Sequence, residues 1–165
     1  SILVKKIEET EEDLFPLSLK VAEILEVKDH PSADKLYVLQ INLGKEKRQL
    51  VAGLKGYYSN EELKGKKIIV ITNLKYAKLR GIESQGMLLA GEDKDNVGVL
   101  TVSQSKAGDE VKFGNLNNSN KELSFENFQK LNIKVRDGKV VFNDLQLKTD
   151  KEDVSVEKVR DGRVR

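Results

Sequence analysis

Three cations, an amide, a hydroxyl and a thioether share one short span of this chain, Asn73-Leu74-Lys75-Tyr76-Ala77-Lys78-Leu79-Arg80-Gly81-Ile82-Glu83-Ser84-Gln85-Gly86-Met87. A loop that only joins strands draws on Gly, Asn or Asp for its turn geometry. It has no use for Lys75, Lys78 and Arg80 in so short a run. Clustered cations beside hydrogen-bonding side chains are what binding a phosphate backbone requires.

Other chemistries find less support. His30 is the only histidine and cysteine is absent, which removes thiolate metal sites, disulfides and a thiol nucleophile. A serine–histidine–acid apparatus needs a nucleophile and an orienting acid that converge on the imidazole. Asp29, Ser32 and Asp34 neighbour His30, but a tight turn through Pro31 reads as loop geometry, with Asp34 expected to bond the local backbone. Glu61-Glu62 reads as a helix start and Asp93 with Asp95 as loop. Gly53 and Gly56 match no phosphate-loop pattern. No catalytic residue, metal ligand or cofactor is expected.

Net charge is only +2, yet its distribution is uneven. Between positions 44 and 80, ten cations face three carboxylates, a balance of about +7. Positions 1–30 carry four cations against eight carboxylates, about −4. The middle has the footprint of a polyanion partner. No apolar run approaches the roughly 18 residues of a membrane span, and the start lacks a signal-peptide pattern. A cytoplasmic location without membrane contact is expected.

Short strands must position these residues. In Tyr37-Val38-Leu39-Gln40-Ile41-Asn42-Leu43 the odd positions are apolar, the period of a half-buried strand. Positions 67–72 are nearly all apolar and β-branched, as in a strand covered on both faces. Strands are also predicted over 19–27, 49–52, 86–91 and 97–101, with a short helix capped by Ser59. The polar break Leu116-Asn117-Asn118-Ser119-Asn120 marks a boundary. Beyond it, Ser124 caps a predicted helix over 124–131 with Phe125, Phe128 and Leu131 on one face. A hairpin over 139–147 follows, and 157–165 reads either as a ragged strand or as a disordered tail. Five or so strands with little helix predict an all-β, five-stranded OB-fold barrel over 1–115, with 1–17 as lead-in and 116–165 as a small C-terminal extension.

With His30-Pro31-Ser32-Ala33-Asp34-Lys35-Leu36 and Val51-Ala52-Gly53-Leu54 upstream, the 73–87 run resembles the EMAP-II-like tRNA-binding domain family. That family includes the C-terminal domain or separate beta subunit of many methionyl-tRNA synthetases. The likeness runs in order and nearly without gaps from about residue 19 to residue 92. It implies the same barrel, tRNA as partner, and a non-catalytic accessory role beside the catalytic subunit of a methionyl-tRNA synthetase. It also implies that the extension imitates the dimer partner of shorter relatives, leaving a monomer. Carried over position by position, the tRNA-facing residues are Lys35, Asn73, Lys75, Lys78, Arg80, Ser84 and Met87.

Chemically, Lys78 and Arg80 suit phosphates, Arg80 bidentately. Asn73 and Ser84 can donate to phosphate or to ribose 2′-hydroxyls. Met87 offers a base or sugar a soft surface, or packs in the core beside Leu88 and Leu89. Two positions depart from the family pattern. Tyr76 stands where proline is usual, and Ser18-Leu19-Lys20 replaces Asp-Leu-Arg at the first strand. The alternatives are a protein-binding, export-chaperone-like OB domain and a cytokine-like secreted fragment of a tRNA-binding cofactor.

Overall fold

A computed structural model describes residues 13–165; the first twelve, with most of the acidic lead-in, lie outside the described residues. Strand β1 (Leu19–Asp29) is long and bent, with its register shifting between Ile24 and Glu26. Such a bulge lets one strand turn a barrel corner. Strands β2 (Tyr37–Asn42) and β3 (Lys47–Ala52) form the hairpin expected, and β2 buries only its odd positions. Helix α1 (Asn60–Leu63) starts at Ser59, whose Oγ accepts from the Glu62 N–H at 3.2 Å while Glu62 accepts from the Ser59 N–H at 2.9 Å. This reciprocal box satisfies two donors that a helix start leaves open.

Strand β4 (Lys67–Ile71) pairs with the first half of β1. Ile68 and Val70 point into the barrel interior with Ile24, Leu39 and Leu50. Ile69 and Ile71 join a second cluster outside it with Phe113 and Leu147. Both faces of β4 are therefore covered, which is why its sequence does not alternate. The short strands β5 (Ala77–Leu79), β6 (Ile82–Ser84), β7 (Met87–Leu88), β8 (Ala90–Glu92) and β9 (Val97–Thr101) follow, then β10 (Glu110–Phe113), which pairs with β1.

The extension supplies helix α2 (Phe125–Gln129) and strands β11 (Lys134–Arg136), β12 (Lys139–Phe142), β13 (Leu145–Lys148), β14 (Ser155–Val156) and β15 (Gly162–Val164). Its last residues are neither ragged nor a tail: β15 pairs with both β8 and β11. Asn143 and Asp144, at φ 47° and 64°, make the two-residue turn between β12 and β13. That is the left-handed pair a tight hairpin prefers.

The all-β barrel reading holds, with a different strand count: among the described residues ten strands fall before position 116 and five after it, because breaks such as Leu89 split longer runs. Phe128, Ile133, Val140 and Leu147 of the extension pack in one cluster with Leu19, Val21, Ile69 and Ile71. Phe15 and Phe113 of this cluster meet the partly buried Phe142, with ring centroids 4.9–5.8 Å apart. Phe125 lies beside Phe128, with ring centroids 6.1 Å apart, yet is 49% exposed at the first position of α2.

Three devices fasten the extension. Gly98 lies so close to residue 157 that a Cβ there would fall 1.5 Å from the Glu157 carbonyl oxygen. Glu157 accepts from the buried Tyr58 hydroxyl at 2.8 Å and pairs with Lys66 at 2.7 Å; burial pushes the Tyr58 phenol above its ordinary pKa. The Glu152 carboxylate accepts from the backbone N–H groups of Ser103, Gln104 and Ser105 at 2.6–2.8 Å. Desolvation raises the Glu152 pKa, but these bonds outweigh it and hold the group at about 2.

Candidate nucleic-acid interface

The 73–87 run folds as a hairpin, β5 against β6, standing on the edge of β3. Its turn residues are Arg80 at φ 51° and Gly81 at φ 89°. Asn, Asp or Gly would sit there more comfortably than a long side chain. Arg80 is thus held in a disfavoured conformation that projects its guanidinium from the tip, where it remains exposed.

His30 pins that tip to the 30–36 loop. Its Nδ1 accepts from the Ser32 N–H at 3.1 Å, so Nε2 carries the proton and donates to the Leu79 carbonyl at 3.0 Å. Arg80 donates to the Ser32 carbonyl at 3.3 Å from the other side. The loop closes on itself through the His30 N–H and the Leu36 carbonyl, 3.0 Å apart. Lys35, exposed, belongs to this same loop. His30, buried, organises the turn; Asp34, expected to do so, is exposed.

Beneath the hairpin, β3 is bonded to it by side chains as much as by backbone. Ser84 Oγ accepts from the Val51 N–H at 3.0 Å and donates to the Gly86 carbonyl at 2.9 Å. Gln49 and Gln85 exchange bonds of 2.8 and 3.0 Å, and Gln49 reaches the Glu83 carbonyl at 2.9 Å. Arg48 donates to the carbonyls of Thr72 and Gln85 at 2.8 and 3.1 Å and pairs with Glu46 at 2.8 Å. Gly86 passes so close to β4 that a Cβ would meet the Ile71 carbonyl oxygen at 2.8 Å.

The structure divides the sequence-predicted residues into two groups. Lys35, Lys75 and Lys78 are exposed, with no ion-pair partner among the described residues, and Arg80 is exposed beside them. Asn73 and Ser84, expected as donors to RNA, are buried with their polar atoms bonded inside the chain. Asn73 Oδ1 accepts from the Ser18 N–H at 2.8 Å, and its Nδ2 donates to the carbonyls of Pro16 and Lys121, both at 2.8 Å. Ser84's one proton goes to Gly86. Both position the hairpin without facing a ligand. Met87 is half-buried against the core, so packing and surface both claim it. Tyr76 is 47% exposed, with the Arg48 guanidinium 5.8 Å from its ring centroid.

The central charge excess is narrower than the residue count implied. Lys66 is taken by Glu157, Lys55 by Asp29, Lys67 by the Ser105 carbonyl and Arg48 by Glu46. Sequence reasoning counted Arg48 as a free cation and missed its clamping role. The pairing of Gln40 with Gln49 across the β2–β3 hairpin, 3.0 Å apart, was a legible sign that this polar face is structured.

A family model described as "Putative tRNA binding domain" matches residues 19–110, more than half of the chain. The chain belongs to this tRNA-binding domain family. Among curated relatives, the methionine–tRNA ligase of Pyrococcus horikoshii is 55% identical over 103 residues, 62% of this chain and 14% of that ligase. The chain thus spans a small part of the length of the ligases it matches. Among solved structures, the C-terminal domain of Plasmodium vivax p43 superposes with a TM-score of 0.81 at 27% identity, covering 90% of this chain and 96% of that one. The CsaA chaperone protein of Picrophilus torridus gives 0.56 at 28% identity, covering 62% of this chain and 98% of its own. The likeness to the CsaA chaperone protein thus covers 62% of this chain, and that to the p43 domain covers 90% of it.

Proposed function

We propose that this chain is a non-catalytic tRNA-binding module that assists aminoacylation, as part or partner of a methionyl-tRNA synthetase in the cytoplasm. One observation carries the reading: a hairpin pinned to the 30–36 loop, with Lys78 and Arg80 exposed on the hairpin and Lys35 exposed on the loop, in a chain of this family. Exposed cations on a rigid support suit recognition of phosphates by shape, with little base discrimination. Lys35, Lys75, Lys78 and Arg80 make the backbone contacts, and Met87 lies under a base or sugar. Asn73 and Ser84 hold these groups in place.

In this reading residues 116–165 stand in for the second protomer of shorter relatives. They cover Ile69 and Ile71 on the outer barrel face, and the chain is a monomer on its own. Titration against mixed tRNA, duplex RNA and duplex DNA at two salt concentrations tests the function. Salt-sensitive binding that favours tRNA is expected. Equal affinity for all three would reduce the module to a general cation patch. No RNA binding, with capture of unfolded peptides instead, would favour the chaperone-like alternative.

A further inference from the structure

The described residues leave four large apolar side chains exposed: Tyr57, Tyr76, Leu79 and Phe125, at 39–49%. Two of them, Leu79 and Phe125, line one groove of about 610 Å³ between the β5–β6 hairpin and the extension, Leu79 from the hairpin and Phe125 from the extension. Tyr57 carries the guanidinium of Arg165, another lining residue, 6.0 Å from its ring centroid. The floor is apolar, with Leu74, Met87 and Leu88.

The rim is cationic. Lys75 lies on the barrel side, and Arg163 and Arg165 on the extension side. Glu92 is the one carboxylate among the lining residues, and it accepts from Arg163 at 2.6 Å and from Arg165 at 3.1 Å. Two guanidiniums on one carboxylate, with Lys75 opposite, leave a positive surplus.

Phe125 explains what the groove is shaped to take. Its ring lies 6.1 Å from that of the buried Phe128, tilted by 31°, so one ring is anchored and the next is open to solvent. A third flat ring would extend that ladder. Aromatic faces interleaved with cations are the arrangement that receives unpaired bases, whose π-faces stack while the phosphates follow the charge. The volume falls within the range of small-ligand sites. Lys75, Ala77 and Leu79 line the groove while Lys78 and Arg80 belong to the same hairpin, so one element borders the groove and carries these cations.

We propose that this groove takes an unpaired nucleobase of the bound RNA, with Phe125 as its stacking wall and Lys75, Arg163 and Arg165 around the adjoining phosphate. The proposal rests on the tRNA-binding reading and adds to it. The extension then supplies part of the RNA site as well as covering the barrel.

The chain has no tryptophan, so Phe125→Trp gives a single reporter at the groove. Tryptophan emission of this variant is followed during titration with tRNA, with a short unpaired oligoribonucleotide and with a blunt RNA duplex. Phe125→Ala and Phe125→Leu are assayed for tRNA affinity alongside. Quenching by tRNA and by the unpaired oligomer, but not by the duplex, is expected. Both substitutions should weaken tRNA binding by roughly five- to hundredfold, because leucine keeps apolar area but loses the stacking face. Tight, salt-sensitive tRNA binding with unchanged emission overturns the proposal and leaves tRNA binding standing. Wild-type affinity in Phe125→Leu also overturns it, and marks the groove as an apolar protein-docking surface. Failure of the unaltered chain to bind tRNA overturns the underlying reading, and this one with it.

Discussion

Replacing Asn73 by alanine separates a scaffold from a contact. The Asn73 carboxamide joins three distant stretches: the segment before β1 through Pro16 and Ser18, the end of β4, and the turn into the extension through Lys121. Alanine strands the Ser18 N–H in a site only 4% exposed and removes the partner of two carbonyls. At about 1 kcal/mol net for each of three bonds, with an added penalty for the stranded donor, the loss is about 3–4 kcal/mol. For a chain of this size that lowers the melting temperature by roughly 6–16 °C. Thermal unfolding and urea titration measure this directly. Affinity for tRNA is then measured across salt concentrations at a temperature where the variant is folded. The slope of log affinity against log salt should match the unaltered chain, because no phosphate contact has been removed. Asn73→Asp keeps the acceptor for Ser18 but sets a carboxylate against two carbonyls, so it should destabilise at least as much. A variant that melts normally yet shows a flattened salt slope would refute the reasoning and make Asn73 a direct RNA contact.

Lys78→Ala and Arg80→Ala should each flatten the salt slope by roughly 0.7–0.9 and weaken different tRNAs about equally; altered preference at constant slope would identify a base reader instead. His30→Gln should lower tRNA affinity a few-fold without touching the slope, whereas Lys35→Ala flattens it, and parallel titrations at matched salt decide between pin and contact. Gly98→Ala forces a Cβ into the Glu157 carbonyl and should cost about 1–3 kcal/mol; light scattering should report self-association as Ile69 and Ile71 lose their cover. The Glu152 carboxyl, held at about 2 against an ordinary 4.5, contributes stability that is complete above about 4.5 and lost as pH falls toward 2. Melting curves of Glu152→Gln across that window should decline less steeply with acid than those of the unaltered chain, and parallel curves would dismiss the clasp.

Which residues are strand was legible because burial writes its period into the chain. Tyr37, Leu39 and Ile41 are buried and their neighbours are not, and the unbroken apolar run of β4 matched two covered faces. What each polar side chain does was not legible, for a physical reason. Asn73 spends its amide on atoms 46 to 57 positions away, and nothing local to the 73–87 run records those partners. Arg48 looked like one of ten equivalent cations until its partners, Thr72 and Gln85, were brought alongside by the barrel. The imidazole of His30 was correctly placed in a turn, but its hydrogen bond to Leu79 crosses 49 positions. Helical spacing placed Phe125 beside Phe128, as it is, but spacing alone does not record that only Phe128 is covered by the core.

The same connections explain why the cations can act together. Each is carried on a short or exposed element, and an isolated two-stranded hairpin is marginal in water. Here the hairpin is braced from below by Ser84 and Gln85 on β3, and at its tip by His30. A braced hairpin loses little conformational freedom when a polyanion binds, so more of the charge attraction remains as affinity. The bracing also couples two regions far apart in sequence: any shift of the 30–36 loop moves Leu79 and the Arg80 turn, and with them one wall of the groove. The proposed backbone binding at Lys35 and base stacking at Phe125 would therefore be joined through a single braced hairpin. Loosening it at His30 should weaken both, while removing Phe125 should spare the salt dependence and remove only the stacking share.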